Sequence, residues 1–323
     1  MNVFPRGILN RLCSLVRVSW LFLFSKNNKV VINGNTLTQG IYKLHLVQYH
    51  FYAKILNLIL NRAAKQNQLI IEINDLNYEQ SIDLELNSIT EKYDLLEREV
   101  LFNLNDVQYI FASKKMRQYA IRKYNIDKNL CFTIINGGDI VRKIPNEFTS
   151  PINKNEKLKF VYAGTLNKGR QIEELLELFS RVLEVELYLL GSGGEWINNN
   201  TMSIQNVFYL GAYEEQEAMK IMSLCDMGVI PYAEDRLYYN LCYPTKASTY
   251  ITSGIPFIST KLDETMIYFK NRETAIFEDF NKWDEVILSL NKKQILLMKK
   301  EVNNIKEEFL WDELIMKEEK LFS

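Results

Sequence analysis

Short apolar runs alternate with longer amphipathic stretches along most of the chain. In the first part, KVVIN (29–33), LIIEI (69–73), YIFA (109–112) and CFTII (131–135) have the length and composition of buried strands. Helical periodicity fills 43–66, 90–103 and 114–124, and Ser113 stands where the last of these needs an N-cap. NDLNYEQ, after the second strand, predicts a loop at a strand's carboxyl end. The polar stretch 143–157 holds two of the six prolines and predicts a linker. Alternation then restarts, with strands at 158–164, 185–191, 206–211, 226–232, 256–260 and 274–277. Helices are expected at 171–181, 214–223 and 244–252, and from there to the end. Buried strands alternating with helices form βαβ units. Two such series predict an α/β chain of two doubly wound, Rossmann-like domains facing a cleft, residues 1–144 and 145–308.

The most apolar stretch near the start, LCSLVRVSWLFLF (12–24), is shorter than the roughly 20 residues a spanning helix needs, and Arg17 interrupts it. A basic start and apolar middle resemble a signal peptide, yet no small-residue cleavage site follows. As a helix it separates Ile8, Leu12, Leu15, Val16, Ser19, Phe22 and Leu23 from Arg6, Ser14 and Arg17. That pattern suits either a core helix of an α/β domain or an interfacial helix on anionic lipid.

Composition changes the picture in one respect. At 323 residues, 47% hydrophobic and 24% charged, the chain is neither disordered nor fibrous. Its net charge of -1 conceals a split. Residues 1–71 carry nine basic and no acidic side chains, the first acid being Glu72, which leaves 30 basic against 40 acidic beyond. The split points to an anionic partner, nucleic acid or a membrane surface. The cations are interleaved with core-type Leu, Ile and Val, and no module pairing aromatic and basic residues is present, which argues against nucleic acid. The expectation is peripheral contact of residues 1–30 with an anionic membrane, from the cytoplasmic side. The four cysteines (13, 131, 225 and 242) form no CxxC and only His45 and His50 are present, so neither a zinc site nor a disulfide framework is expected.

Three glycine-bearing turns follow strands in the second half. Gly164 precedes Lys168, Gly169 and Arg170 at a helix start, a combination suited either to a diphosphate or to a solvated basic loop. Gly191-Ser192-Gly193-Gly194 departs from GxGxxG, because Trp196 takes the last position. At Gly211-Ala212-Tyr213 the aromatic could hold a planar base or simply pack. The most specific segment runs from Asn240 through Pro244, Lys246, Ser248, Thr249, Tyr250 and Gly254 to Pro256. Pro244 suits a first helical turn, and Lys246 adds charge to a helix N-terminus. Asp75 and Glu79, at a strand's carboxyl end, are general-base or acceptor-positioning candidates, with solvated loop carboxylates as the plainer alternative. No two aspartates stand two apart, so no DxD metal motif exists.

These motifs resemble, in order, those of GT-B glycosyltransferases of the group 1, family 4-like class. The YAG–loop–Lys turn, the GSG turn, DMGVIPY and PxKxxxYxxxGxPxI match over roughly residues 28–323, and PxKxSxY is nearest to bacterial galactofuranosyltransferase-like and dimeric glucosyltransferase-like members. LIIEINDLNYE resembles the family's HD turn, INGGD its crossover turn, and FLWDE its last helix, so 309–323 is expected to pack back on a shortened first domain. The resemblance implies metal-independent, retaining transfer from a nucleotide diphosphate sugar, a UDP-hexose, to a hydroxyl of a bacterial surface glycan or lipid-linked oligosaccharide. The nucleotide sugar is a co-substrate and no cofactor is implied; homo-oligomerisation is left open. Carried over by position, Gly164, Lys168, Arg170, Gly191, Gly193, Tyr213, Tyr232, Asn240, Pro244, Lys246, Ser248 and Thr249 would bind the donor. The family's glutamate pair is Leu241 and Thr249 here, its HD histidine is Asn74, and its arginine after the first glycine turn is Thr165. These differences motivate an alternative, a catalytically silent subunit that activates a partner transferase.

Overall fold

The computed structural model describes residues 24, 26–37, 46–141, 149–167, 170–197 and 204–318. Most of the apolar stretch 12–24, His45 and Lys168 fall outside them. The chain divides into two units, Met1–Ile134 and Ile135–Ser323, against the expected boundary at 144. The turn after Thr133 explains the earlier division: Gly138 N–H donates to Phe309 O at 2.9 Å and Trp311 N–H to Gly138 O at 3.2 Å. Phe309 stacks on Phe269 with ring centroids 4.8 Å apart. The described end of the chain is thereby held within the second unit.

In the first unit, β1 (Lys29–Asn33), β2 (Gln68–Ile73), β3 (Val107–Phe111) and β4 (Cys131–Thr133) form a parallel sheet in sequence order. α1 (Gly34–Leu37) and α2 (Leu46–Gln66) cross from β1 to β2. α3 (Asn77–Asp83), α4 (Asn87–Leu96) and a π-helical turn (Glu97–Leu101) lead to β3. α5 (Lys114–Tyr124) leads to β4, and Ser113 caps it by accepting from Met116 N–H at 2.9 Å. α2 buries Tyr49, Ala53, Leu60, Ala63 and Ala64. No described helix is long and apolar enough to cross a membrane.

α3 corrects the expected loop, and the physical reason is its core face. Its buried residues are Asn77, Glu79 and Ser81, so no apolar periodicity announces it. Glu79 accepts from Lys123 Nζ at 2.5 Å and from Tyr119 Oη at 2.9 Å. Beside it, Glu97 accepts from Tyr78 N–H at 2.9 Å and from Tyr124 Oη at 2.5 Å. Both carboxylates are almost wholly enclosed. Burial, reinforced by the Glu79 charge, pushes Glu97 up to about 7 from an ordinary 4.5.

A raised acid stabilises the fold fully below its unfolded value and loses that contribution as pH rises through its folded value. The window is therefore pH 4.5 to about 7. Glu97→Gln keeps an acceptor for Tyr78 N–H and removes the titration. Its advantage over the native chain in thermal unfolding is expected to grow across that window, towards about 3 kcal/mol. A difference independent of pH would contradict this account.

In the second unit, β5 (Leu158–Ala163), β6 (Val185–Leu190), β7 (Val207–Gly211), β8 (Met227–Ile230), β9 (Phe257–Ser259) and β10 (Ala275–Phe277) form a parallel sheet ordered β10-β9-β8-β5-β6-β7. The connecting helices are α6 (Ile172–Arg181), α7 (Glu215–Ser223), α8 (Leu237–Leu241), α9 (Thr245–Thr252), α10 (Asp263–Phe269), α11 (Trp283–Ser289), α12 (Lys292–Ile305) and α13 (Trp311–Lys317). α6 packs Ile172, Leu175, Leu176 and Phe179 against Phe160, Leu187 and Leu189 of the sheet. The chain winds outward from β5 to β7, then returns to the other side of β5 at β8. The order therefore reverses between β5 and β8, and ligands of such sheets bind outside the carboxyl ends at that reversal.

Candidate functional site

Residues gather at that reversal point for identifiable reasons. β5 and β8 are paired only at Phe160–Met227 and Val161–Gly228, and then part. Tyr250 of α9 fills the gap. Its hydroxyl accepts from Ala163 N–H at 3.1 Å and lies 3.2 and 3.1 Å from the carbonyls of Val161 and Val229. Its ring lies where a Cβ on Gly228 would stand, 2.3 Å from that position, so only glycine admits it. Tyr250 thus clamps α9 onto both strands, and one helical turn earlier on the same face is Lys246.

Lys246 Nζ donates to Tyr232 Oη at 2.5 Å and lies 4.3 and 4.6 Å from the ring centroids of Tyr162 and Tyr232. It stands 3.1 Å from where a Cβ on Gly164 would be, directly over the backbone that ends β5. Burial opposes the ammonium, but the two phenols outweigh it and hold Lys246 above its ordinary value. Burial likewise opposes ionisation of Tyr232, yet Lys246 holds that phenol below its ordinary range, and the Arg170 charge adds to the effect. No carboxylate pairs with Lys246 among the described residues. A cation with neutral oxygen and aromatic partners keeps its field available to an anion.

The glycine turns form the floor. Gly164 N–H donates to Leu190 O at 2.9 Å and Gly191 N–H to Gly211 O at 2.8 Å, setting the three strand ends side by side. Leu166 N–H donates to Ser192 O at 2.9 Å, and Trp196 Nε1 donates to Leu166 O at 2.8 Å. Trp196, which breaks the GxGxxG spacing, thus ties the second turn to the first. Gly193 leaves room for Asn167 Oδ1, 2.3 Å from where a Cβ would stand. Gly211 has open space above it, and Tyr213 beyond it is exposed.

Gly164, Gly191, Gly193, Tyr232 and Lys246 therefore lie together at the reversal point, with the Arg170 charge acting on Tyr232, and Pro244 occupies the N-cap of α9 rather than its first turn. Other expected site residues are committed elsewhere. Ser248 is fully buried, donates to Asn136 O at 2.7 Å and shares a 2.8 Å hydrogen bond with Tyr243 Oη. Asn240 donates to Glu234 O and Arg236 O and accepts from Asp263 N–H, shaping the loop before α8. Thr249 Oγ1 bonds back to Thr245 O at 3.2 Å. In the first unit, Asp75 is partly exposed after β2. Glu79, held by Lys123 and Tyr119, is enclosed and unavailable for proton transfer with an external substrate. Tyr162 and Tyr250 were absent from the expected set. Their signal was their spacing, two residues before Gly164 and four after Lys246.

Among the described residues no cluster of metal-ligating side chains occurs. Two α/β units with parallel sheets, the first in plain sequence order rather than doubly wound as expected, the second doubly wound with a cation and glycine turns at its reversal point, match the GT-B fold, the architecture of a large class of glycosyltransferases. Solved structures agree in fold. Anabaena HepE, crystallised with UDP and glucose, has a TM-score of 0.64 at 12% identity, over 99% of this chain and 84% of that one. Sucrose-phosphate synthase from Thermosynechococcus elongatus has a TM-score of 0.69 at 14% identity, over 99% and 79%. WaaG, a glycosyltransferase involved in lipopolysaccharide biosynthesis, has a TM-score of 0.58 at 14% identity, over 84% and 80%. No protein-family model and no curated protein matches the sequence.

Proposed function

We propose that the chain is a glycosyltransferase that moves a sugar from a nucleotide diphosphate sugar, a UDP-hexose, to a hydroxyl of a bacterial surface glycan or lipid-linked oligosaccharide. The observation that carries this reading is Lys246, an ammonium fixed over Gly164 at the reversal point with no carboxylate partner among the described residues. In the reaction the bond from the anomeric carbon to the diphosphate oxygen breaks, and its electron pair leaves with the nucleotide. The acceptor oxygen bonds to the anomeric carbon and releases its proton. Charge grows on the departing diphosphate, and Lys246 and Arg170 oppose it from fixed positions, without a metal. Asp75 is the carboxylate we assign to the acceptor side, and retention of configuration belongs to the same reading. HepE, crystallised with UDP and glucose, and WaaG, from lipopolysaccharide biosynthesis, support the donor and acceptor classes by likeness of fold.

One observation favours a second reading, a catalytically silent subunit that binds and activates a partner transferase. Leu241 and Thr249 replace a carboxylate pair, Leu241 being buried and Thr249 bonded to its own helix. Calorimetric titration with UDP, GDP and ADP, followed by assay of the corresponding sugar nucleotides against a panel of acceptors, separates the readings. Saturable binding with acceptor-dependent nucleotide release is expected. Binding without release supports the silent subunit, and no binding of any nucleotide sinks the enzyme reading.

A further inference from the structure

We propose that the outward face of α2 docks the first unit flat against an anionic lipid surface. This does not rest on the nucleotide-sugar reading, because α2 carries none of the residues of the Lys246 site. Five outward positions, Phe51, Ile55, Leu58, Arg62 and Lys65, recur at steps of four, three, four and three, a single helical face. All five are exposed, Phe51 and Leu58 at 70%. From Phe51 to Lys65 the face runs for about 21 Å, apolar first and cationic after, with Lys54 exposed beside it.

A solvated helix face would carry polar residues where Phe51, Ile55 and Leu58 stand. The helix cannot turn them inward, because its flank is pinned. Asn57 Nδ2 donates to the carbonyls of Glu99 and Asn103, each at 2.9 Å, and Asn61 Oδ1 accepts from Asn105 N–H at 3.1 Å.

Charge selects the occupant. The 21 residues of α2 contain no acid, and neither does the whole of residues 1–71. Apolar side chains that enter the acyl boundary, with lysine and arginine at headgroup level, match a bilayer bearing negative phosphates. A second copy of the chain would bring the same cations against these.

Co-sedimentation of the full chain with phosphatidylglycerol–phosphatidylcholine vesicles, against pure phosphatidylcholine, is the test. Partition is expected to be at least tenfold stronger on the anionic vesicles and to weaken as salt rises. Phe51→Ser with Leu58→Ser, and separately Arg62→Glu with Lys65→Glu, should each lower it at least tenfold. Unfolding midpoints and nucleotide binding should be unchanged. Equal binding to both vesicle types, or native-level binding by both double variants, overturns the proposal. So does a native dimer that Phe51→Ser with Leu58→Ser converts to monomer, since the occupant would then be a second copy.

Discussion

Gly191→Ala is expected to unfold the second unit by more than any other single methyl added at its strand ends. Gly191 adopts φ +146°, a region side chains rarely enter, and the added Cβ would stand 1.8 Å from Gly164 O. That oxygen cannot swing aside. Gly164 N–H is bonded to Leu190 O and Gly191 N–H to Gly211 O, so any retreat breaks the sheet where three strands end. Backbone strain of about 1–3 kcal/mol then adds to a clash with fixed main chain. The sum is about 4 kcal/mol or more, a large part of a domain's stability. Gly211→Ala is the control. Its φ is +81°, but nothing lies within 4 Å of the added carbon, so only conformational strain of about 1–2 kcal/mol applies. Chemical denaturation of both variants checks the contrast. If the two lose equal stability, close packing of the glycine turns is not what shapes the site.

That packing was half visible in the sequence. The strand positions could be read because each is a short apolar run, fully buried in central strands such as β6 and partly exposed in edge strands such as β1, and ten runs correspond to the ten described strands. α3 could not, because its buried side chains are polar: Glu79 is held by Lys123 and Tyr119 from a distant helix, and Ser81 by Tyr78 O within its own turn. α8, at five residues, is too short for periodicity to declare itself. In the site, the glycines and Lys246 stood out because turns and cations carry local signatures. Ser248 and Asn240 belong to the same motif, yet their partners decide their roles. Asn136 lies 112 residues from Ser248, and Asp263, whose N–H Asn240 accepts from, lies 23 residues beyond it. Tyr250 acts through two strands that only the folded sheet brings together. Motif order alone thus identified the turns but could not separate groups that face a ligand from groups that hold the turn in place.

Lys246→Ala is expected to lower sugar transfer by about 100- to 1,000-fold, the range for losing one fixed stabiliser of developing negative charge. The fold should survive. Removing one member of a buried ion pair usually strands a charge at a cost of about 3–5 kcal/mol. Here the groups left behind are the phenols of Tyr162 and Tyr232, and without the ammonium neither has reason to ionise near neutral pH. Tyr250 still holds α9 to β5 and β8, so the helix N-terminus keeps its place. Lys246→Arg should fail to restore turnover, because the ammonium fits between two rings and only 3.1 Å from where a Cβ on Gly164 would stand, and a planar guanidinium is wider. Affinity for the intact nucleotide sugar should fall less than turnover, since its diphosphate carries two negative charges while bonded to the sugar and gains the third only on departure. Steady-state kinetics, with calorimetry of UDP-sugar binding and thermal unfolding on the same preparations, measure all three. Unaltered turnover in Lys246→Ala would remove the cation from the chemistry. Lost turnover accompanied by a collapsed unfolding midpoint would make Lys246 a packing residue instead.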